Sequence, residues 1–137
     1  MKYRLIDHTA DFGIHVFGAD IKELYENAAF AMFDLITDLQ MVKGVRQQQI
    51  EVVGEDPPDL MVNWLRELLY LWTGKEMLIQ SAQIESVSDF ALSAIVTYEP
   101  YDPARHVIRE EIKAVTYHQV DVRRGSTGWE SKIILDV

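Results

Sequence analysis

The sequence contains no cysteine. That excludes a disulfide framework, a thiolate metal site and a cysteine nucleophile, and it fits a reducing, cytoplasmic setting. Only 4 prolines and 7 glycines occur in 137 residues, too few for a linker-rich or low-complexity chain. No apolar run approaches the length that spans a bilayer. The opening Met1-Lys2-Tyr3-Arg4 passes into strand-like alternation without the apolar core of a signal peptide. Positive charge is scarce: 13 Lys and Arg stand against 22 Asp and Glu, a net charge of −9. Such a surface repels polyanions at long range, so direct nucleic-acid binding is not expected. It suits divalent cations or basic partner proteins. Also missing are a Gly-rich phosphate loop, the H-E-x-x-H and G-x-S-x-G motifs and an EF-hand loop, which removes the usual signatures of nucleotide binding and covalent catalysis.

What is present is an ordinary globular balance, 48% hydrophobic and 26% charged, at a length suited to one domain spanning 1–137. Residues 20–38 place Ile21, Leu24, Tyr25, Ala28, Met32, Phe33 and Ile36 at the three-four spacing of one buried helix face. Asp20 with Glu23 three residues on is a capping-box pair, and Phe30, Met32 and Phe33 read as core. Residues 44–53 alternate but are polar, as an edge strand would be. Pro57 and Pro58 open a second helix over 58–73, with Gly74 as its stop and Arg66 and Glu67 on a solvated edge. The rest is β-rich: a hairpin of 77–87 and 90–98 turning at Ser88-Asp89, a proline loop at 99–103, a long strand at 112–122, a loop at 123–128 and a last strand at 129–135. Phe90, Leu92, Ala94, Val96 and Tyr98 are expected to share one face. Two main helices on a mostly antiparallel sheet make a two-layer α+β domain.

Polar residues that could carry chemistry concentrate at strand ends. Asp7-His8-Thr9-Ala10-Asp11-Phe12-Gly13 sits where the first strand gives way to the second. Asp7, Thr9 and Gly13 read as turn chemistry. Asp136 follows the apolar Ile133-Ile134-Leu135 run, which would hold the last residues in place. Carboxylates with backbone oxygens form a hard-donor set for Ca²⁺, Mg²⁺ or Mn²⁺ rather than zinc. Spacing alone does not bring Asp11 and Asp136 together.

Four stretches resemble the archease family: Asp7 to Asp11 with Gly13, Leu65-Arg66-Glu67-Leu68-Leu69-Tyr70-Leu71-Trp72, Ile112-Lys113-Ala114-Val115-Thr116-Tyr117-His118, and Gly128-Trp129 through Ile134-Leu135-Asp136-Val137. They span nearly the whole chain, in order. The resemblance implies a non-catalytic activator of a GTP-dependent, RtcB-type RNA ligase of transfer-RNA splicing, promoting guanylylation and multiple turnover of the ligase. It implies a divalent metal ion held by Asp11, Asp136 and a backbone oxygen of Val137, and a role in activity for Lys113 as a partner or nucleotide contact. His8 and His118 match the motif without an assigned role, and His118 reads equally well as a hydrogen-bonded histidine on a half-buried strand. Two other readings stand beside this one. The same acids could serve a stand-alone metal-dependent phosphoester hydrolase with His8 or His118 as general base, or the protein could be a general chaperone.

Overall fold

The computed structural model describes residues 1–6 and 11–137. In chain order the elements are β1 (Tyr3–Ile6), β2 (Phe12–Gly18), α1 (Ile21–Ile36), a 3₁₀ turn (Leu39–Met41), β3 (Arg46–Val53), α2 (Pro57–Lys75), β4 (Met77–Val87), β5 (Ala91–Pro100), β6 (Ala114–Thr116), β7 (Arg123–Arg124) and β8 (Trp129–Asp136). The α+β class is as the sequence implies. The strands divide between two antiparallel sheets, one ordered β1-β2-β8-β6 with β7 also beside β8, the other ordered β3-β5-β4.

Both helices start where their caps require. The Asp20 carboxylate accepts the Glu23 N–H at 2.8 Å, and Glu23 reaches back to the Ala19 N–H at 3.2 Å. Asp56 accepts the Asp59 N–H at 2.8 Å, and Asp59 returns to the Glu55 N–H at 2.8 Å, so each helix has its orphan amides satisfied reciprocally. Pro57 and Pro58 occupy the first turn of α2, where no N–H is needed. The end of α2 lies two residues beyond the expected stop. Glu76, at φ 55°, closes it by donating its N–H to the Leu71 and Trp72 carbonyls. Gly74 lies inside the helix, where a Cβ would come within 2.7 Å of the Tyr70 ring.

The helices cover the inner faces of both sheets. Ile14 and Val16 of β2, Ile133 and Leu135 of β8, and Val115 of β6 are buried with Leu24, Met32 and Phe33 of α1 and Trp64, Leu65 and Leu68 of α2. The Trp64 indole donates to the Tyr25 carbonyl at 2.9 Å, a buried polar link between the two helices. α1 also closes the outer edge of β4: Glu26 accepts the Ile84 N–H at 2.9 Å and Lys22 donates to the Glu85 carbonyl at 3.1 Å. The polar β3 is the opposite edge of the small sheet, as its alternation predicts.

Four local expectations change. Gly13 is a strand residue, paired with both Ile6 and Ile134, and a Cβ there would lie 3.1 Å from the Ile6 Cβ; close approach between strands, not a turn, uses this glycine. Phe90 is 60% exposed, because β5 begins only at Ala91, after the turn. The strand expected over 112–122 is broken. β6 covers three residues, then Tyr117 to Val120 turns with Gln119 at φ 55°, and the chain returns to β8 through the Asp121 N–H on the Lys132 carbonyl at 3.3 Å and pairs with it again at Arg123. The excursion is anchored by Asp121, which accepts the Lys132 N–H at 2.7 Å while its carbonyl takes the Ser131 hydroxyl at 2.6 Å. The alternation seen in the sequence is therefore not one face, and Val115 is the strand residue that enters the core.

The fourth change is at the proline loop. Glu99 belongs to β5 and is buried, receiving Arg105, the His106 Nε2–H at 3.0 Å and the Lys43 N–H at 2.8 Å. His106 Nδ1 accepts the Asp102 N–H at 2.9 Å, so its proton sits on Nε2 and the ring needs no charge. The Arg105 hydrogen bond, before all else, lowers the Glu99 pKa from 4.5 to about 2. A depressed carboxylate pKa adds stability above the unfolded value, and that stability is lost as pH falls through the folded value. Glu99→Gln is therefore expected to be less stable than the parent near neutrality and to lose less stability between pH 4.5 and 2, read as urea midpoints across that range. Removing a helix cap gives a second check: Asp56→Ala should cost about 1 kcal/mol by the same unfolding measurement.

Candidate metal centre

The pairing of β2 with β8 sets the site. Its last register pair at this end is Phe12↔Leu135, so Asp11 and Asp136 stand one residue further along adjacent strands. Leu135 is buried and Asp136 exposed, which puts the Asp136 carboxylate on the face away from the helices. Asp11 is half-buried. On the other flank of β8, Ala114 pairs with Asp136, and the Lys113 N–H donates to the Asp136 carbonyl at 2.7 Å. Val137 follows, half-buried. Three segments distant in sequence thus converge, and the local cause is the same in each: an apolar strand residue (Phe12, Val115 or Leu135) faces the core and fixes its neighbour at the rim.

Two carboxylates at neighbouring register positions would repel each other, a cost that a divalent cation between them would remove. Among the described residues no group of three or more His, Cys, Asp or Glu could hold a metal ion. Further protein donors there would be main-chain oxygens, which suits Ca²⁺ or Mg²⁺ and not zinc.

The other expected residues are distributed as follows. Lys113 lines a groove beside α2 with Arg66, Tyr70 and Thr73. His118 sits in the turn after β6, its N–H donating to the Thr116 hydroxyl at 3.2 Å, so strand register does not tie it to Asp136. His8, with Asp7 and Thr9, lies outside the described residues.

Sequence reading missed two polar clusters. One is the Glu99, Arg105 and His106 group described above. The other lines the outward face of the large sheet: Arg4 donates to His15 Nδ1 at 3.2 Å, His15 Nε2–H donates to Glu130 at 2.7 Å, and Arg123 donates to Glu130 at 3.2 Å. Arginine can only donate, so His15 Nδ1 is the acceptor and Nε2 carries the proton given to Glu130. Both ring nitrogens are engaged, and the residue ties β1, β2, β7 and β8 together. A polar residue between Ile14 and Val16 in an alternating strand was the signal for it. Glu99 had none, because the prolines around it mark a loop.

Comparison with known proteins gives the lineage. The Archease protein family (MTH1598/TM1083) matches residues 3–137. The chain is 34% identical to the protein archease of Methanosarcina mazei over 140 residues, covering 99% of this chain and 96% of that one. It is 34% identical to the protein archease of Methanopyrus kandleri, with all of both chains covered. The solution structure of protein 1598 of Methanobacterium thermoautotrophicum superposes with a TM-score of 0.82 at 30% identity, over 99% of each chain. A Thermotoga maritima crystal structure, described as an archease and possible chaperone, has a TM-score of 0.65 at 20% identity over 96% of this chain and 94% of that one, a likeness of fold. With the family model matching residues 3–137 and the fold shared with a solved relative at 30% identity, this protein belongs to the archease family.

Proposed function

We propose that the protein is a non-catalytic, metal-binding activator of a GTP-dependent, RtcB-type RNA ligase, promoting guanylylation and multiple turnover of that enzyme in transfer-RNA splicing. The observation that carries the reading is the strand register that sets Asp11 beside Asp136. Asp11, Asp136 and a main-chain oxygen of Val137 would hold Ca²⁺, Mg²⁺ or Mn²⁺. The ion would supply a concentrated positive charge at the edge of the sheet, where the partner's anionic nucleotide or carboxylates could share it. The chain's own task would be to keep two acids side by side, and the buried Leu135 and Val115, with the partly buried Phe12, fix the strands that do this. The acidic surface, −9 overall, complements a basic RNA-binding enzyme and speeds their encounter at low salt. Among the described residues no helix is long and apolar enough to cross a membrane, and no membrane partner is proposed.

Calcium titration of the isolated protein tests the site itself. Ca²⁺ is expected to raise the thermal midpoint of the parent, as any ligand of the folded state does. In Asp11→Ala or Asp136→Ala the affinity should fall at least about tenfold, since carboxylate count sets Ca²⁺ affinity. The function is tested with the ligase: each variant should restrict it to a single turnover, and multiple turnover undiminished in both would refute the proposal. Phosphoester hydrolysis by the protein alone would favour the hydrolase reading. Suppression of aggregation that survives loss of both acids would favour the chaperone suggested for the Thermotoga protein.

A further inference from the structure

Beside α2 runs a surface groove floored by the core residues Leu69 and Val115. Arg66, Tyr70 and Thr73 line one wall and Lys113 to Val115 the other. Among the described residues its lining holds no carboxylate, although acids outnumber bases 22 to 13 in the chain; Asp59 stands beyond it, behind Tyr117. Arg66 is held at two points: its Nε donates to the Val115 carbonyl at 3.0 Å, and its guanidinium lies 4.5 Å from the centre of the Tyr117 ring. Tyr117 is itself fixed, donating its hydroxyl to Asp59 at 2.8 Å. Among the described residues only Nε of the guanidinium is engaged in a hydrogen bond, which leaves its terminal nitrogens as a planar fork matched to a carboxylate. Lys113 is exposed close by, and Tyr70 and Tyr117 are 54% and 48% exposed.

Each of these properties points to a protein partner. The groove is shallow and open, unlike the enclosed clefts that hold small molecules. Arginine and tyrosine are the side chains that dominate protein interfaces, and an arginine ordered before contact loses little freedom on binding. The overall negative charge opposes a polyanion such as RNA, whereas one acidic side chain on a basic protein meets Arg66 and Lys113 at the groove, with Asp59 already occupied by the Tyr117 hydroxyl. We infer that this groove docks a carboxylate-bearing segment of the partner protein. The Arg66 fork and the Lys113 ammonium take an Asp or Glu side chain, and Tyr70 and Tyr117 pack against the atoms beside it. Only the identity of the partner rests on the ligase reading given above.

Two arms test this. In the first, isotope-labelled protein is titrated with hexaglutamate peptide and followed by amide chemical shifts. Shifts at residues 66–73 and 113–117 that vanish in Arg66→Glu and in Lys113→Glu support the inference, provided circular dichroism shows both variants folded. Shifts that fall elsewhere, that persist in both variants, or that inorganic phosphate reproduces at equal concentration overturn it. In the second, Arg66→Glu and Tyr70→Ala are assayed with the ligase. Both should need about tenfold more protein for half-maximal activation while reaching the parent's plateau and keeping its Ca²⁺ affinity. An unchanged half-maximal concentration overturns the ligase as occupant. If the parent itself fails to stimulate the ligase, the function proposed above falls, and the peptide arm alone decides the groove.

Discussion

The pairing of β2 with β8 is the constraint on which the remaining structure depends. It joins opposite ends of the sequence through register pairs running from Phe12↔Leu135 to Gly18↔Trp129. Because side chains alternate along a strand, a slip of one residue would turn Ile133 and Leu135 to solvent and Asp136 to the core. The buried apolar residues therefore hold the acids in place as firmly as they hold the sheet together. The same pairing is non-local, so its contacts must offset the entropy of closing a loop that is nearly the whole chain. The helices and the β4–β5 hairpin, built from nearer contacts, provide the surface on which the two ends can meet.

Between the two sheets α1 is the shared wall. It packs on β2 of the large sheet and β4 of the small one, and α2 locks onto it through the Trp64 indole. Its buried face is lined by small and large residues together, Ala28, Ala29 and Ala31 among Leu24, Met32 and Phe33, which lets a helix lie close to two surfaces at once. The polar residues that enter this interior do so in satisfied groups. No buried side-chain nitrogen or oxygen among the described residues lacks a hydrogen-bond partner, and His15, His106 and Asn27 each serve to fasten one segment to another.

The sequence made the helices legible because their signals are local: a cap, a three-four apolar stripe and a proline pair all lie within one window. The β4–β5 hairpin was legible for the same reason. The stretch 112–122 was misread because alternation continued in the letters after the backbone had left the sheet. There Asp121 bonds to Ser131 and Lys132 of β8, partners that the alternation within 112–122 does not show. The candidate site divides in the same manner. Asp11 and Asp136 each stood out at a strand end, but their adjacency belongs to the register and not to either segment. Lys113 was placed by motif, yet the face it occupies follows from the packing of β6 against α2.

The sealing of β4 by α1 has a further consequence for assembly. The small sheet has two outer strands, and at β4 the Ile84 amide and the Glu85 carbonyl already answer to Glu26 and Lys22. Growth of a filament by strand addition needs two complementary open borders, so that each new molecule offers a fresh one. Here one border is already engaged by the helix, and β3 alone is left to meet a neighbour. Two copies joined through β3 would be related by a two-fold axis, and each would use up the other's open border. Propagation along this sheet would therefore end at a pair. The two side chains of α1 that strap the fold would thus also oppose such growth at β4.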